Sequence, residues 1–479
     1  LREERERCAR WLASEYDYIH DHPPVDEVAA FADLPRDDEG NWQCPRTAVA
    51  DGRCVLHHDD STDDEVRATI VAALRGEYDA DEFAVDAPDG DRRTFASRFL
   101  GVELGTLDLH GWRGATRGAA ALDLRCAEID AVRLGDAAVD APIRLAGATL
   151  GSIEATDAEL GGSIGTRFAT VEGDLRLDRA TVDGRVDCRF SRIGGESSVR
   201  HATATSRFDF GFSHVGGTVA AAGGSCGGRF TLKEAVVDAV AAEDVAVSGP
   251  DPESDIPGLQ FRGLTARGSV DLTGADCEGK LIGYRMAIGG DFDAAEATIG
   301  QGISLATRTG TRLGEASIEG TLSFADARID DQTKLRGRES HNATVAVGER
   351  LDLSGATFEH LRVLPNMTHD RLSVVDCRDA TIREGVLSQA DGGSPTIYDL
   401  EQAELGDVRI EPGEATAPAC LWLNRTSFDG FTFVDAARRG FERADWELID
   451  ESPERRETVA FARAFGDATE YARDFAALC

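Results

Sequence analysis

From Gly173 the chain reads, in blocks of eleven residues, GDLRLDRATVD, GRVDCRFSRIG, GESSVRHATAT, SRFDFGFSHVG, GTVAAAGGSCG and GRFTLKEAVVD. Apolar or small residues recur at fixed places: Leu175, Leu177, Ala180 and Val182 in the first block, then Val186, Cys188, Ser191 and Ile193 in the second. Pairs two apart carry the period of a strand, not of a helix. The step of five from Leu177 to Val182, with small Ala180 between, takes the chain around a corner. Each block is thus two five-residue steps plus one turn residue, often Gly. Two blocks, about twenty-two residues, close one coil, and the next coil stacks on it at ~4.8 Å by parallel pairing. No block buries its inward residues alone, so the repeat specifies a stack.

The position held by Val182 can be followed both ways. Upstream it falls on Ile129, Val139, Leu150, Leu160 and Val171; downstream it passes Val237 and Val247. The polar, Pro-rich run SGPDPESDIPG, near 248–258, then leaves the coil as a loop, and the register resumes at Ala266, Cys277, Ile288 and Ile299. Beyond Ile299 the pattern passes through Ile318 and Ile329 and is lost from about 330 to 350. It returns at Leu351, Leu353, Ala356 and Phe358, then at Leu372 and Val374, then at Leu421, Leu423 and Phe428. The expected fold is mainly β: a right-handed, pentapeptide-like parallel β-helix with α-helical caps at both ends. Residues 1–96 form an N-terminal capping region, 97–434 the β-helix with irregular coils after 300, and 435–479 a C-terminal helical cap or linker.

Composition sets the surroundings. The 479 residues carry a formal charge of −36, and only Lys233, Lys280 and Lys334 are lysines. A surface rich in Asp and Glu and nearly emptied of Lys stays hydrated where molar salt screens its self-repulsion, which points to a salt-in halophile. An acidic DNA-mimicking inhibitor is the competing reading of the same charge. Direct nucleic-acid binding is disfavoured by sign, since phosphate contacts need a basic patch. No apolar run approaches the ~20 residues of a membrane span, and the charged residues 1–15 show no secretory signal. The expectation is a soluble, cytoplasmic chain. Beginning at Leu1 and ending on Cys479 within an expected helix, it reads as a piece of something longer.

Ten cysteines in this length do not make a disulfide scaffold. Cys188, Cys226 and Cys277 fall on inward positions, where a thiol is a small apolar filler. The N-terminal region differs. NWQCPRTAVADGRCVLHH places Cys44 ten residues before Cys54 and His57 three beyond it, a set suited to tetrahedral zinc with Cys8 as fourth ligand. His58, His20 or His22 are alternatives to Cys8. A site filled from protein at all four positions is structural and closed. Thr62 and Glu65 make a capping box for a helix whose face is Val66, Ile70, Val71 and Leu74 and whose stop is Gly76. That helix suits the open edge of the first coil. At the other end Ser452 and Pro453 begin an expected helix with Val459, Ala462, Phe465 and Phe475 on its stripe.

Taken together, Trp42 to Pro45, Gly52 to His57, Phe99 to Leu109, Asn424 to Phe433 and Asp445 to Asp450, with the five-residue steps, resemble the pentapeptide-repeat-type proteins of haloarchaea over most of the chain. The resemblance implies a β-helix and, from membrane-associated relatives, a C-terminal continuation; its flanking motifs carry no established chemistry. The wording departs from it in using eleven-residue double steps, which leaves a more oval coil open.

A carbohydrate-active lyase or hydrolase needs converging carboxylates, a basic partner and exposed aromatics. Here Asp174, Asp178, Asp183 and Asp187 are spread around the coil as a solvated face, and Phe208, Phe210 and Phe230 sit on inward positions. No nucleophile elbow, P-loop or dinucleotide fingerprint is present; GGSCGG at 223–228 lies between repeat turns with no helix after it. The expected function is a non-enzymatic scaffold or interaction module with an unknown protein partner and, at most, one structural zinc.

Overall fold

The computed structural model describes residues 54–58, 61–77, 97–113, 121–249, 258–305, 307–309, 312–314, 316–335, 345–367, 373–388, 396–411, 420–423, 425–433, 446–450 and 458–462. They belong to two compact units, Leu1–Gly227 and Gly228–Cys479.

The first unit is a β-solenoid of stacked parallel coils. Leu104 pairs with Ile129, a rung longer than two blocks, whereas Leu122 pairs with Ile143 and Ile143 with Ile164, rungs one residue short of two blocks. Farther on the two-block length is exact, with Leu175 between Ile153 and Ser197, and Val186 between Ile164 and Phe208. The positions expected to point inward do so: Ile129, Val139, Leu150, Leu160, Val171, Val182, Ile193, Ala204 and Val215 are all buried. Phe208 and Phe210 join them.

Corners explain the block length. After each short strand the chain makes a turn whose third residue is left-handed. In the block of Leu177 that residue is Arg179 (φ 56°), and the Ala180 N–H returns to the Leu177 carbonyl at 3.0 Å. Asp157, Phe168, Phe190, His201 and Phe212 occupy the same conformation at multiples of eleven. Non-glycine residues seldom adopt it, at a cost of ~1 kcal/mol or more each. Stacking between coils offsets that cost. Phe168, Phe190 and Phe212 lie ring on ring at 5.0 and 4.8 Å along one edge, while Arg179 clasps Asp157 at 2.7 and 2.8 Å along another.

The helix Asp63–Arg75 belongs to this unit and has the expected ends. The Thr62 and Glu65 side chains bond reciprocally to backbone, Gly76 closes it at φ 73°, and Val66, Ile70 and Leu74 are buried. Asp63 accepts the Gly105 N–H at 3.1 Å, fastening the helix to the first strand, Glu103–Asp108.

The second unit repeats the scheme less evenly. Val237, Val247, Ala266, Cys277, Ile288, Ile299, Ile318 and Ile329 are buried as expected. Val236 pairs with Thr265, a rung well beyond two blocks, as a loop in 248–258 requires; residues 250–257 lie outside those described. Ile288 and Ile318 form a similarly long rung, which encloses the hairpin of Thr307–Thr309 and Arg312–Gly314. The strand Arg328–Leu335 runs through the region where the sequence pattern fades. From there one side of the coil becomes continuous in Arg328–Leu335, Thr357–Val363, Thr381–Ser388, Glu404–Glu411 and Ser427–Phe433. Its rungs, from Thr357 to Thr381, on to Glu404 and then to Ser427, are slightly longer than two blocks.

Two expectations need correction here. Val375 and Cys377 are the inward pair, while Val374 is half-buried, because Val375 and not Val374 pairs with Leu351. A slip of one residue exchanges the two faces of a strand. At the C-terminal end, Val459 and Ala462 lie in the strand Thr458–Ala462, antiparallel to Trp446–Asp450 and to Cys420–Trp422. The edge of Cys420–Trp422 pairs with Val459–Phe461, in place of a helix. Phe465 and Phe475 lie outside the described residues.

Candidate functional site

Cys54 and His57, two of the four expected metal ligands, are brought together by a turn in which the His57 N–H reaches the Cys54 carbonyl at 2.9 Å. The Cys54 Sγ lies 3.1 Å from His57 Nδ1, and His57 Nε2 lies 2.7 Å from the Leu100 carbonyl oxygen. A carbonyl only accepts, so Nε2 carries the proton and Nδ1 turns its lone pair toward the thiol. Anchoring the far nitrogen of an imidazole on a carbonyl is how metal-binding histidines are oriented. The adjacent edge of a tetrahedral zinc site with one S and one N ligand spans about 3.6 Å, longer than the 3.1 Å hydrogen-bond contact found here. Cys8, Cys44, His20 and His22 lie outside the described residues, among which no group of three or more His, Cys, Asp or Glu is placed to hold a metal.

Cys126 stands at the same corner, since the Gly101 N–H, next to Leu100, donates to the Arg125 carbonyl at 3.0 Å. It is disulfide-bonded, whereas Cys54, Cys188, Cys226, Cys277 and Cys377 are reduced and buried. The sequence offered one signal for it: Cys126 occupies the left-handed turn place of its block (φ 58°), not an inward place. The inward thiols are fillers. Burial raises Cys188 to about 12 and Cys277 to about 11.

Asp residues prove to be working parts of the coil. Asp174 accepts the Glu196 N–H at 2.8 Å, Asp178 the Arg200 N–H at 3.0 Å and Asp183 the Thr205 hydroxyl at 3.2 Å, each one coil on. Asp209, Asp271, Asp293, Asp352 and Asp399 each accept the N–H two residues later, setting up the left-handed corner. Asp187, expected on the solvated face, is buried.

The burial of Asp187 belongs to a recess that the sequence reading did not single out. Stacking places Asp123, Arg144, Gly165, Asp187 and Asp209 in one outward column. Two residues on, the next column holds Arg125, Ala146, Arg167 and Arg189. Asp123 takes Arg125 in a two-pronged bond of 2.8 and 2.6 Å, and Asp187 takes Arg189 at 2.8 and 2.7 Å. Arg185 and Arg167 approach the same Asp187 carboxylate at 3.5 and 3.9 Å. Burial alone would push Asp187 up, yet the Arg189 bonds and the charges of Arg189, Arg167 and Arg185 hold it below the usual carboxylate range. The next carboxyl in the column, Asp209, is raised, by burial and by the charge of Asp187.

Small residues at Gly165, Ala146 and Ser163 leave this surface open. The result is a recess of about 440 Å³ lined by Arg125, Arg144, Arg167 and Arg185, with Asp187 the one carboxylate among its described lining residues. The signal was available in the sequence, as Arg at 167 and 189 one coil apart with Arg144 and Arg185 near them, but it is meaningful only once the columns are aligned. Comparisons with protein-family models, with curated proteins and with solved structures give no match to this chain.

Proposed function

We propose that the chain is a non-enzymatic scaffold or protein-interaction module of the pentapeptide-repeat type from a salt-in halophilic archaeon. On this reading the coil is right-handed, the helix Asp63–Arg75 shields its first edge, and Cys8, Cys44, Cys54 and His57 hold one structural zinc that staples the N-terminal region to the Leu100 corner. The protein works in the cytoplasm or at the inner face of a membrane. Among the described residues no helix is long and apolar enough to cross a membrane, so attachment would belong to other segments.

One observation supports the non-enzymatic reading: the described Asp174, Asp178, Asp187, Asp209 and Asp271 are engaged in holding corners and neighbouring coils. The arginine recess favours the carbohydrate-active alternative more than any other surface does. Against it, glycoside hydrolysis and elimination call on at least two cooperating groups free to exchange protons, and Asp187 is clamped by guanidinium. Incubation with neutral polysaccharides and polyuronates, followed by reducing ends and unsaturated products, is the test. Product formation that Asp187→Asn abolishes would overturn the scaffold reading; no product above a heat-treated control is expected. Metal analysis after purification is expected to give one zinc per chain, lost in Cys44→Ser; absence of zinc from the wild type would remove the staple.

A further inference from the structure

We propose that the disulfide of Cys126 is a redox lock on the N-terminal zinc set: it holds one of the two thiols, Cys8 or Cys44, that the metal needs, and gives it up on reduction. The lock rests on the zinc reading above and supplies the regulation of that same site.

Cys126 takes a left-handed corner position (φ 58°), the one cysteine among the described residues to do so, while Cys54, Cys188, Cys226, Cys277 and Cys377 are buried thiols. The Gly101 N–H donates to the Arg125 carbonyl and the Cys126 N–H to the Ala146 carbonyl, both at 3.0 Å. Phe168 donates to the Arg189 carbonyl in the same manner and lies ring on ring with Phe190. By that relation Cys126 stands in a column between Gly101 and Gly147, two residues without side chains, and it is itself half-buried. A disulfide that keeps contact with solvent is open to a small reductant.

The same corner receives the N-terminal chain. His57 Nε2 lies 2.7 Å from the carbonyl oxygen of Leu100, the residue before Gly101, and Cys54 Sγ lies 3.1 Å from the other nitrogen of that ring. The cysteine count then narrows the partner of Cys126. Of ten cysteines, five described ones are reduced and Cys126 is bonded, which leaves Cys8, Cys44, Cys420 and Cys479. Cys420 begins a strand of the second unit and Cys479 is the last residue. Cys8 and Cys44 precede the turn that docks here, and closing a loop from either costs less chain entropy than recruiting a residue from the far end of the sequence. Both belong to the zinc set, and a sulfur held in a disulfide is no thiolate ligand.

The switch is an exchange. A thiolate of a dithiol reductant attacks one sulfur of the disulfide and forms a mixed disulfide; the second thiol of the reductant resolves it and leaves as a cyclic disulfide. Two electrons pass to the protein, and Cys126 and its partner end as thiols. The released partner then joins Cys54, His57 and the remaining cysteine on zinc, and the thiol protons go to water. The reverse step takes a low-molecular-weight disulfide as oxidant, which is reduced to two thiols as the protein disulfide forms and the metal departs.

The experiment divides the full chain, in high salt, between oxidised glutathione and a dithiol, removes the reagent, adds zinc and measures the metal retained after gel filtration. Non-reducing peptide mass spectrometry maps the linkage in the same samples. The oxidised protein should carry Cys126 linked to Cys8 or Cys44 and at least tenfold less zinc than the reduced protein, which should hold about one per chain. Cys126→Ser should hold one zinc with no reductant. A linkage of Cys126 to Cys420 or Cys479, no linkage after oxidation, or equal zinc in the oxidised and reduced wild type overturns the lock. So does loss of zinc from reduced Cys126→Ser, which would make Cys126 a ligand. Should that variant fail to fold, the oxidised and reduced wild type decide alone. Absence of zinc from the reduced wild type, with the linkage present after oxidation, overturns the zinc reading itself and the lock with it.

Discussion

The tetrapeptide V-D-C-R occurs twice, at Val186–Arg189 in the first unit and at Val375–Arg378 in the second, and both copies fold alike. Each Val and Cys points inward, and each Asp caps its corner by accepting the N–H of the Arg, at 3.4 Å for Asp187 and 3.0 Å for Asp376. Each Arg returns a two-pronged bond. Each column continues into a further carboxyl, Asp209 or Asp399, and the two copies differ in the coil before. Asp187 is preceded in its column by Gly165 and flanked by Arg167 and Arg185. Asp376 is preceded by Asp352 and followed by Asp399, and Arg350 is bonded to the Asp376 carboxylate. Among the described residues, the coil before the first copy thus offers Gly165 and Arg167 at the two columns, and the coil before the second offers Asp352. In a solenoid the meaning of a short motif is set by residues one coil away, not by its sequence neighbours.

The largest expected effect comes from neutralising the buried carboxylates. Asp187→Asn leaves three guanidiniums facing a neutral amide and should destabilise the first unit by about 3 kcal/mol, whereas Asp376→Asn, whose Arg350 and Arg378 are roughly half exposed, should cost about 1–2 kcal/mol. Denaturant midpoints at fixed salt measure both. Since the folded Asp187 lies below its ordinary value, its contribution is fully present above the unfolded carboxylate pKa and is lost as pH falls through the folded one. The deficit of Asp187→Asn should accordingly shrink below about pH 4. Equal deficits for the two variants at pH 7 would deny the difference between the copies.

Asp399 should respond with the opposite sign. Burial, together with the charges of Asp376 and Glu401, raises it to about 6, against bonds from the Glu401 N–H and the charge of Arg378. A raised carboxyl favours folding below the unfolded pKa and loses that favour as pH climbs from there through the folded pKa. Asp399→Asn should therefore stabilise the second unit by about 2 kcal/mol at pH 7 to 8 and change little near pH 4. A destabilised variant at pH 7 would mean that the acidic column is balanced by cations not counted above.

Much of this fold was legible in the sequence because one period governs it. Wherever inward residues recur at eleven, from Ile129 to Ile299, every anchored position is buried. The helix at Asp63 was equally plain, since its caps are local. The places that escaped are those where information is not local. At Val375 the rung from Leu351 outgrew two blocks, and the apolar Leu372 and Val374 in the sequence suggested an inward pair of the opposite parity from the true one, Val375 and Cys377. The recess escaped because Arg144, Gly165 and Asp187 become neighbours only through inter-coil pairing. Cys54 and His57 are close because they stand a turn apart, so their contact is local in the sequence.

A smaller difference concerns the inward thiols of the two copies. Burial holds Cys188 at about 12 and Cys377 well above the ordinary thiol value, so neither forms thiolate at pH 8 while its coil is closed. Alkylation followed by mass spectrometry should leave both unlabelled in the folded protein and label both in denaturant. Labelling of Cys377 without Cys188 would locate local opening in the irregular coils of the second unit.

The smallest expected change in stability tests the comparison most directly. Gly165→Asp would write into the first unit the column of the second, where Asp352 stands at the equivalent place before V-D-C-R. The site has room for a Cβ, and Arg144, Arg167 and Arg185 are at hand to neutralise a second carboxylate beside Asp187. The unfolding midpoint should move by less than about 1 kcal/mol equivalent, because the like-charge penalty and the new ion pairs oppose each other. If Gly165→Asp instead lowered the midpoint by several kcal/mol, the like-charge penalty beside Asp187 would outweigh the new ion pairs, and the residue that precedes V-D-C-R in the column would not be interchangeable between the two copies.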